Sequence, residues 1–231
     1  SFLVIAYVLL PGLLAGYSPV LLSTAIASCI LCVAIYVTHG FNKESTAAFL
    51  GTILSVACTG LLSFLAIKWV RLSGFASDES VYLNLSTEGV LNIQGLLLGS
   101  IIIGVLGVLD DVAITQTSVV RELYHAAPHF TKKEVYAKAL RVGREHVGAL
   151  VNTLALAYTG ASLPLLLLFS RSTESVALAL NYEVFATEII RTIVGSIGLI
   201  LTVPVVTFLA IFMLAPKSEL VPISNNDSVS Q

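Results

Sequence analysis

Ser100, Gly104, Gly107, Asp111, Thr115, Ser118 and Glu122 recur at steps of three and four. That spacing sets side chains on one face of an α-helix. The segment around them is otherwise Leu, Ile and Val, so Asp110-Asp111 ends a hydrophobic run and continues a small-polar seam. Adjacent acids in an apolar helix can relay a proton or hold a cation. Their side chains diverge by about 100° around the helix axis, which makes one shared ion awkward. Asp111 continues the seam and is the expected functional member. An intramembrane aspartyl protease would need two acids facing each other from different helices, and no second acid lies at matching depth.

Other groups could join Asp111. Arg144 is the nearest plausible cation by sequence, and an Asp111–Arg144 bridge is the expectation. Glu188 and Arg191 stand three apart and can pair along one helix. The expected polar path is Asp110, Asp111, Thr115, Ser118, Arg144, Asn152, Glu188 and Arg191, with Gly104, Gly107, Gly195 and Gly198 as helix-packing positions. His125, His129 and His146 cluster near a basic stretch, where they can sense pH or simply be solvated. No P-loop, Ser/His/Asp grouping or metal-ligand set is present, so neither an enzyme nor a metal or other cofactor is expected. Cys29-x-x-Cys32 has no second Cys or His pair, and Cys29, Cys32 and Cys58 lie in apolar runs. They read as small buried hydrophobes.

The composition decides the setting. The chain has 231 residues, 56% hydrophobic and 11% charged, with a mean hydropathy of +0.93. A soluble domain is about a quarter charged. The net charge of −2 gives no sign of nucleic-acid binding. With about 20 apolar residues per crossing, six spans are expected: about 1–15, 19–38, 46–67, 93–118, 147–169 and 186–214. The fold class is an all-α polytopic transmembrane bundle, residues 1–214, with a disordered cytoplasmic tail at 215–231. The chain opens without Met or a charged leader, and reads as a piece whose upstream part lies outside it.

Charge sets the orientation. Half of the twelve Lys and Arg residues lie in the connection 119–146: Arg121, Lys132, Lys133, Lys138, Arg141 and Arg144. Such loops stay cytoplasmic, which places Lys43 and Lys217 inside and Lys68, Arg71 and Arg171 outside. Thr131-x-x-Glu134 reads as a capping box that starts a short amphipathic cytoplasmic helix. This helix is either interfacial or a gate or docking surface at the inner mouth. Ala48, Thr52, Ser55, Thr59 and Ser63 form a small-residue stripe in the third span, and Thr24, Ser28 and Cys32 a thinner one in the second; both suit helix packing. Pro164 and Pro204 interrupt the fifth and sixth spans, as in cavity-lining or merely kinked helices.

The run from Gly104 to Ser118 with its Asp110-Asp111 resembles the central signature of the YibE/F-like family of bacterial multi-span membrane proteins. So do Arg141-Val-Gly-Arg144-Glu-His146, Val151-Asn152-Thr153, Gly160-Ala-Ser-Leu-Pro164 and the stretch from Glu188 to Gly198. The resemblance implies a bacterial cytoplasmic-membrane location, an upstream extracytoplasmic domain with a further span, and often a second membrane protein as partner. It implies no reaction. Two functions compete. The first is a transporter or channel component whose seams converge at Asp111. The second is a non-transporting scaffold or assembly factor whose seams only pack helices. The expected partners are the lipid bilayer and either a second membrane protein or a further copy.

Overall fold

The computed structural model describes residues 2–171, 178 and 180–215, and every regular element among them is helical. Helix α1 spans Phe2–Leu14; its wide turn Ile5–Leu9 precedes Pro11, whose ring cannot fit a regular ladder. The chain continues through α2 (Pro19–His39), α3 (Lys43–Val70), α4 (Asp78–Ser86), α5 (Ile93–Ala126), α6 (Lys132–Ala161), α7 (Leu163–Ser170) and α8 (Glu183–Leu214). Local chemistry sets their ends. The Asn42 and Asn92 side chains accept the Ser45 and Gly95 backbone N–H groups at 2.7 and 2.9 Å. Thr131 and Glu134 form the reciprocal capping box that starts α6. Gly40, at φ +75°, ends α2 in a conformation that L side chains disfavour.

Helices α2, α3, α5 and α8 are long and apolar enough to cross a membrane. A fifth crossing is α6 with α7 if the pair, bent by 60°, is one broken span. Pro164 at the head of α7 explains the bend, because it has no N–H to continue the ladder. The chain is therefore a helical membrane bundle. Helix α1 is shorter than a full crossing, and all but Ala215 of the expected tail lies outside the described residues, as does Lys217.

Helices α3, α5 and α8 form the centre, with α6 packed on α5 and α8 and α2 on α5. Leu109, Ala113, Leu199 and Val206 are fully enclosed there. Large side chains of α5 lie on small ones of its neighbours, Ile102 beside Gly60 of α3 and Val105 beside Gly195 of α8. A Cβ on Gly198 would stand 2.5 Å from the Thr59 hydroxyl, so α3 and α8 meet at a distance only glycine permits. The α3 hydroxyls are also internally satisfied. Thr52, Ser55, Thr59 and Ser63 donate to the carbonyls of Ala48, Gly51, Ser55 and Thr59 at 2.8–2.9 Å.

Two expectations are corrected. The amphipathic stretch after Thr131 is no separate cytoplasmic helix but the first half of the continuous α6. Val135 and Ala139 are fully buried, against Val120 and Tyr124 of α5 and Ala210 of α8. No proline or glycine turn breaks the helix before Ala161, so the apolar face that suggested headgroup contact is spent on the bundle. The cysteines are not core residues either: Cys29 is exposed, and Cys32 and Cys58 are half-buried.

Candidate functional site

Polar pairs mark the two ends of the bundle. At one end, Arg121 pairs with Glu44 at 2.5 Å and Ser118 donates to the same carboxylate at 2.6 Å. At the other, the Glu183 carboxylate accepts from the Ser73 hydroxyl and the Gly74 N–H at 2.6 Å each, and Gln94 donates to the Leu72 carbonyl at 2.6 Å. With a rise of about 1.5 Å per residue, Gln94 and Arg121 are about 40 Å apart along α5. A hydrocarbon layer of about 30 Å fits between them. Asp111 then lies about 15 Å in from Arg121, inside that layer.

The seam that carries Asp111 faces outward. Ser100, Gly104, Gly107, Asp111 and Thr115 are all exposed, while the opposite face of α5, with Val105, Leu109, Val112, Gln116 and Val120, is buried. The expected inward path centred on Asp111 is therefore not a feature of the single chain. The reason lies in the pairing of sizes: α3 and α8 already supply the small residues at their contacts with α5, so α5 offers its bulky face and its own small face is left over. Gly107 has open space where a Cβ would stand, so among the described residues no other helix packs on it, whereas Gly195 and Gly198 are buried. Gly104 is exposed, with the Tyr158 hydroxyl 3.4 Å from its Cβ position.

Asp111 and Arg144 do not meet. Among the described residues the ion pairs are Arg121 with Glu44, Arg121 with Glu122, and Arg191 with Glu188. Asp111 is on the exposed side of α5. Arg144, also exposed, lines a cavity of about 420 Å³ between α6 and α8 with Val147, Val203 and Pro204. The half-buried Asp110 accepts the Asp111 backbone N–H at 3.0 Å. Asn152 is exposed on α6.

Glu188 and Arg191 do meet, at 2.8 Å. They line a cavity of about 670 Å³ at the Glu183 end, together with Thr187, Ser100, Glu79, Leu97 and Leu165. Tyr158 lies close enough to feel both charges of the pair. On the rim, Glu79 has its carboxyl held below the usual range by its own backbone N–H and by the Ser77 hydroxyl. A second cavity, about 190 Å³, opens at the other end beside Glu44, Ser45, Ser118 and Arg121. Each cavity holds a Glu–Arg pair, and beside each Glu in sequence stands a buried hydroxyl without a partner among the described residues, Thr187 next to Glu188 and Ser45 next to Glu44.

The sequence model of the family described as YibE/F-like protein matches residues 1–216. The chain belongs to the YibE/F-like family. No curated protein and no solved structure matches it. Within this YibE/F-like chain, the sequence pattern points to Glu188, Arg191 and Ser118 but misses Glu44, Thr187, Tyr158 and Gln116. Gln116 is 3% exposed, and its amide donates to the Ala139 carbonyl at 2.9 Å and the Thr207 hydroxyl at 2.7 Å, tying α5 to α6 and α8. Its signal is present in the sequence: it is the lone amide in the Val105, Leu109, Val112, Val120 stripe.

Proposed function

We propose that this membrane protein is a component of a transport assembly, with its C-terminus in the cytoplasm of a bacterium, six spans counting α1, and a second polypeptide over the α5 seam. The observation that carries the reading is the pair of polar cavities near Ser100 and Ser118 of one helix. A purely structural bundle needs no such chambers. The Asp110–Asp111 carboxyls lie between these levels, on the face of α5 that the chain leaves uncovered. A carboxylate at that depth is costly against lipid and usually faces protein or water, which favours a partner chain or a further copy closing the seam. Lys43, Arg121, Lys132 and Lys138 gather at the Glu44 end, and Lys68, Trp69 and Arg71 at the other. The basic excess favours the Glu44 end as cytoplasmic.

The test is flux. In proteoliposomes, a potassium-valinomycin potential drives proton uptake read by an entrapped dye, and Asp111→Asn abolishes it. Wild-type flux equal to that of empty liposomes sinks the transport reading; normal flux in the variant removes Asp111 from the path. One observation favours a non-transporting scaffold instead: the Gly198–Thr59 and Gly143–Gln116 contacts fill the interior between the cavities. Zero flux with retained co-purification of a membrane partner is the outcome that reading expects.

A further inference from the structure

Thr187 is an exception among the bundle's hydroxyls. A serine or threonine in a membrane helix normally donates to the carbonyl one turn back, as Thr192, Thr202 and Thr207 of α8 do, to Glu188, Gly198 and Val203 at 2.6–2.8 Å. Thr187 is 3% exposed, its hydroxyl has no partner among the described residues, and it lines the Glu188–Arg191 cavity. A buried hydroxyl left unpaired costs about 1–3 kcal/mol and calls for an explanation. Its oxygen is closed to solvent in this structure, so a ligand in the cavity supplies one only when the first turn of α8 shifts.

The cavity shows which ligand. Arg191 uses one nitrogen on Glu188 at 2.8 Å, and a guanidinium has five N–H donors. Glu188 likewise has acceptor capacity to spare. The pair is neutral as a unit and Glu79 adds a second carboxylate at the rim, so a simple anion is drawn to Arg191 but repelled by both acids, and a simple cation is drawn to the acids but repelled by Arg191. A molecule with both charges side by side matches both. The apolar part of the wall comes from Ile93, Leu96, Leu97 and Leu165, beside the hydroxyls of Ser77, Ser80, Ser100 and Ser162, and the volume of about 670 Å³ falls in the range of about 300–1,000 Å³ found for small-molecule sites.

We propose that this cavity binds a small zwitterion, an α-amino acid with an apolar side chain, its carboxylate on Arg191, its ammonium on Glu188 and its side chain against Leu97 and Leu165. Thr187 contributes its hydroxyl to the polar end of the ligand once the α8 turn adjusts around it. The proposal rests on the transport reading only for the movement of the bound ligand across the membrane; binding itself stands independently.

Isothermal titration calorimetry on the chain in lipid nanodiscs tests it, with L-leucine, 4-methylpentanoate and 3-methylbutylamine as probes. The expected result is saturable binding of leucine, with the anion and the amine each at least tenfold weaker. Thr187→Val, close in shape and without the hydroxyl, weakens leucine several-fold while the ligand-free melting temperature rises, because the unpaired hydroxyl is gone. Arg191→Gln removes carboxylate recognition, so leucine and the amine then bind alike. Absence of a saturable leucine heat overturns the proposal, as does equal or tighter binding of either single-charge probe to the wild type. Leucine binding without flux defeats the transport reading alone; flux without leucine binding defeats this inference alone.

Discussion

Gln116→Leu is the sharpest test of how the bundle is tied together. The substitution puts a slightly shorter, apolar side chain at a position that is 3% exposed and removes two interhelical hydrogen bonds, to the Ala139 carbonyl and the Thr207 hydroxyl. Neither acceptor is left unsatisfied by the loss. Ala139 lies inside α6 with its own turn, and Thr207 still donates to the Val203 carbonyl at 2.6 Å. The cost is therefore that of the bonds themselves, without an added orphan penalty. Interhelical bonds in a membrane average about 0.6 kcal/mol with a maximum of about 1.7, so two of them give about 1.2 kcal/mol and at most about 3.4 kcal/mol. The assay is reversible unfolding in mixed detergent micelles, followed by far-ultraviolet circular dichroism. Thr207→Val and the double variant complete the cycle. The expected coupling is about half of the single-variant loss, since one of the two bonds runs to Thr207. A Gln116→Leu variant as stable as wild type, or a cycle without coupling, refutes the amide as a tie between α5 and α8.

Gly198→Leu places a bulky side chain where even a Cβ would be 2.5 Å from Thr59; overpacking of this kind costs about 1–3 kcal/mol or more, and the variant should unfold at lower detergent strength while Gly107→Leu should not. Glu44→Gln should lower stability by no more than about 1 kcal/mol, because Arg121 is half-exposed and its partner Glu122 remains; a larger loss in the same unfolding assay would show the pair to be more enclosed than its geometry implies. The acid contribution at α4 has a definite sign. Glu79 has a lowered folded value, so its stabilisation is complete above the ordinary carboxyl range near about pH 4.3 and fades as pH falls through the folded value. Hydrogen exchange at Ser77 to Ser80 should accelerate only in that acid window, and the acceleration should vanish in Glu79→Gln.

The helices and several caps were legible in the sequence because they depend on local chemistry. Thr131 and Glu134 start α6, and Pro164 bends the chain where the expected interruption fell. What could not be read was which face of α5 turns inward. In water, the apolar face goes inside. In lipid, both a small-polar face and a bulky apolar face can be buried, and the choice depends on what the neighbours offer. Gly60 and Gly195 sit on α3 and α8, far from their α5 contacts in sequence, and their fit to Ile102 and Val105 is a tertiary fact. The same limit applies to the candidate site. Glu188 and Arg191 were visible as a local i,i+3 pair, but the wall formed by Leu97 and Leu165 comes from other helices. Asp111 and Arg144 looked like natural partners on charge alone, yet they form no ion pair, and Arg144 lines a cavity between α6 and α8 that Asp111 does not enter.

Beside the two cavities, the transport proposal requires the polar face of α5 to be shielded from lipid at mid-membrane depth. A nitroxide on Gly107→Cys, in a background with Cys29, Cys32 and Cys58 replaced, measures this directly, since Gly107 has open space around its Cβ position. Power saturation in native-lipid membranes should give low accessibility to oxygen, with a broad, immobilised spectrum from protein covering the seam. High oxygen accessibility with a mobile spectrum, as for a lipid-facing control at Leu54 on α3, would contradict it.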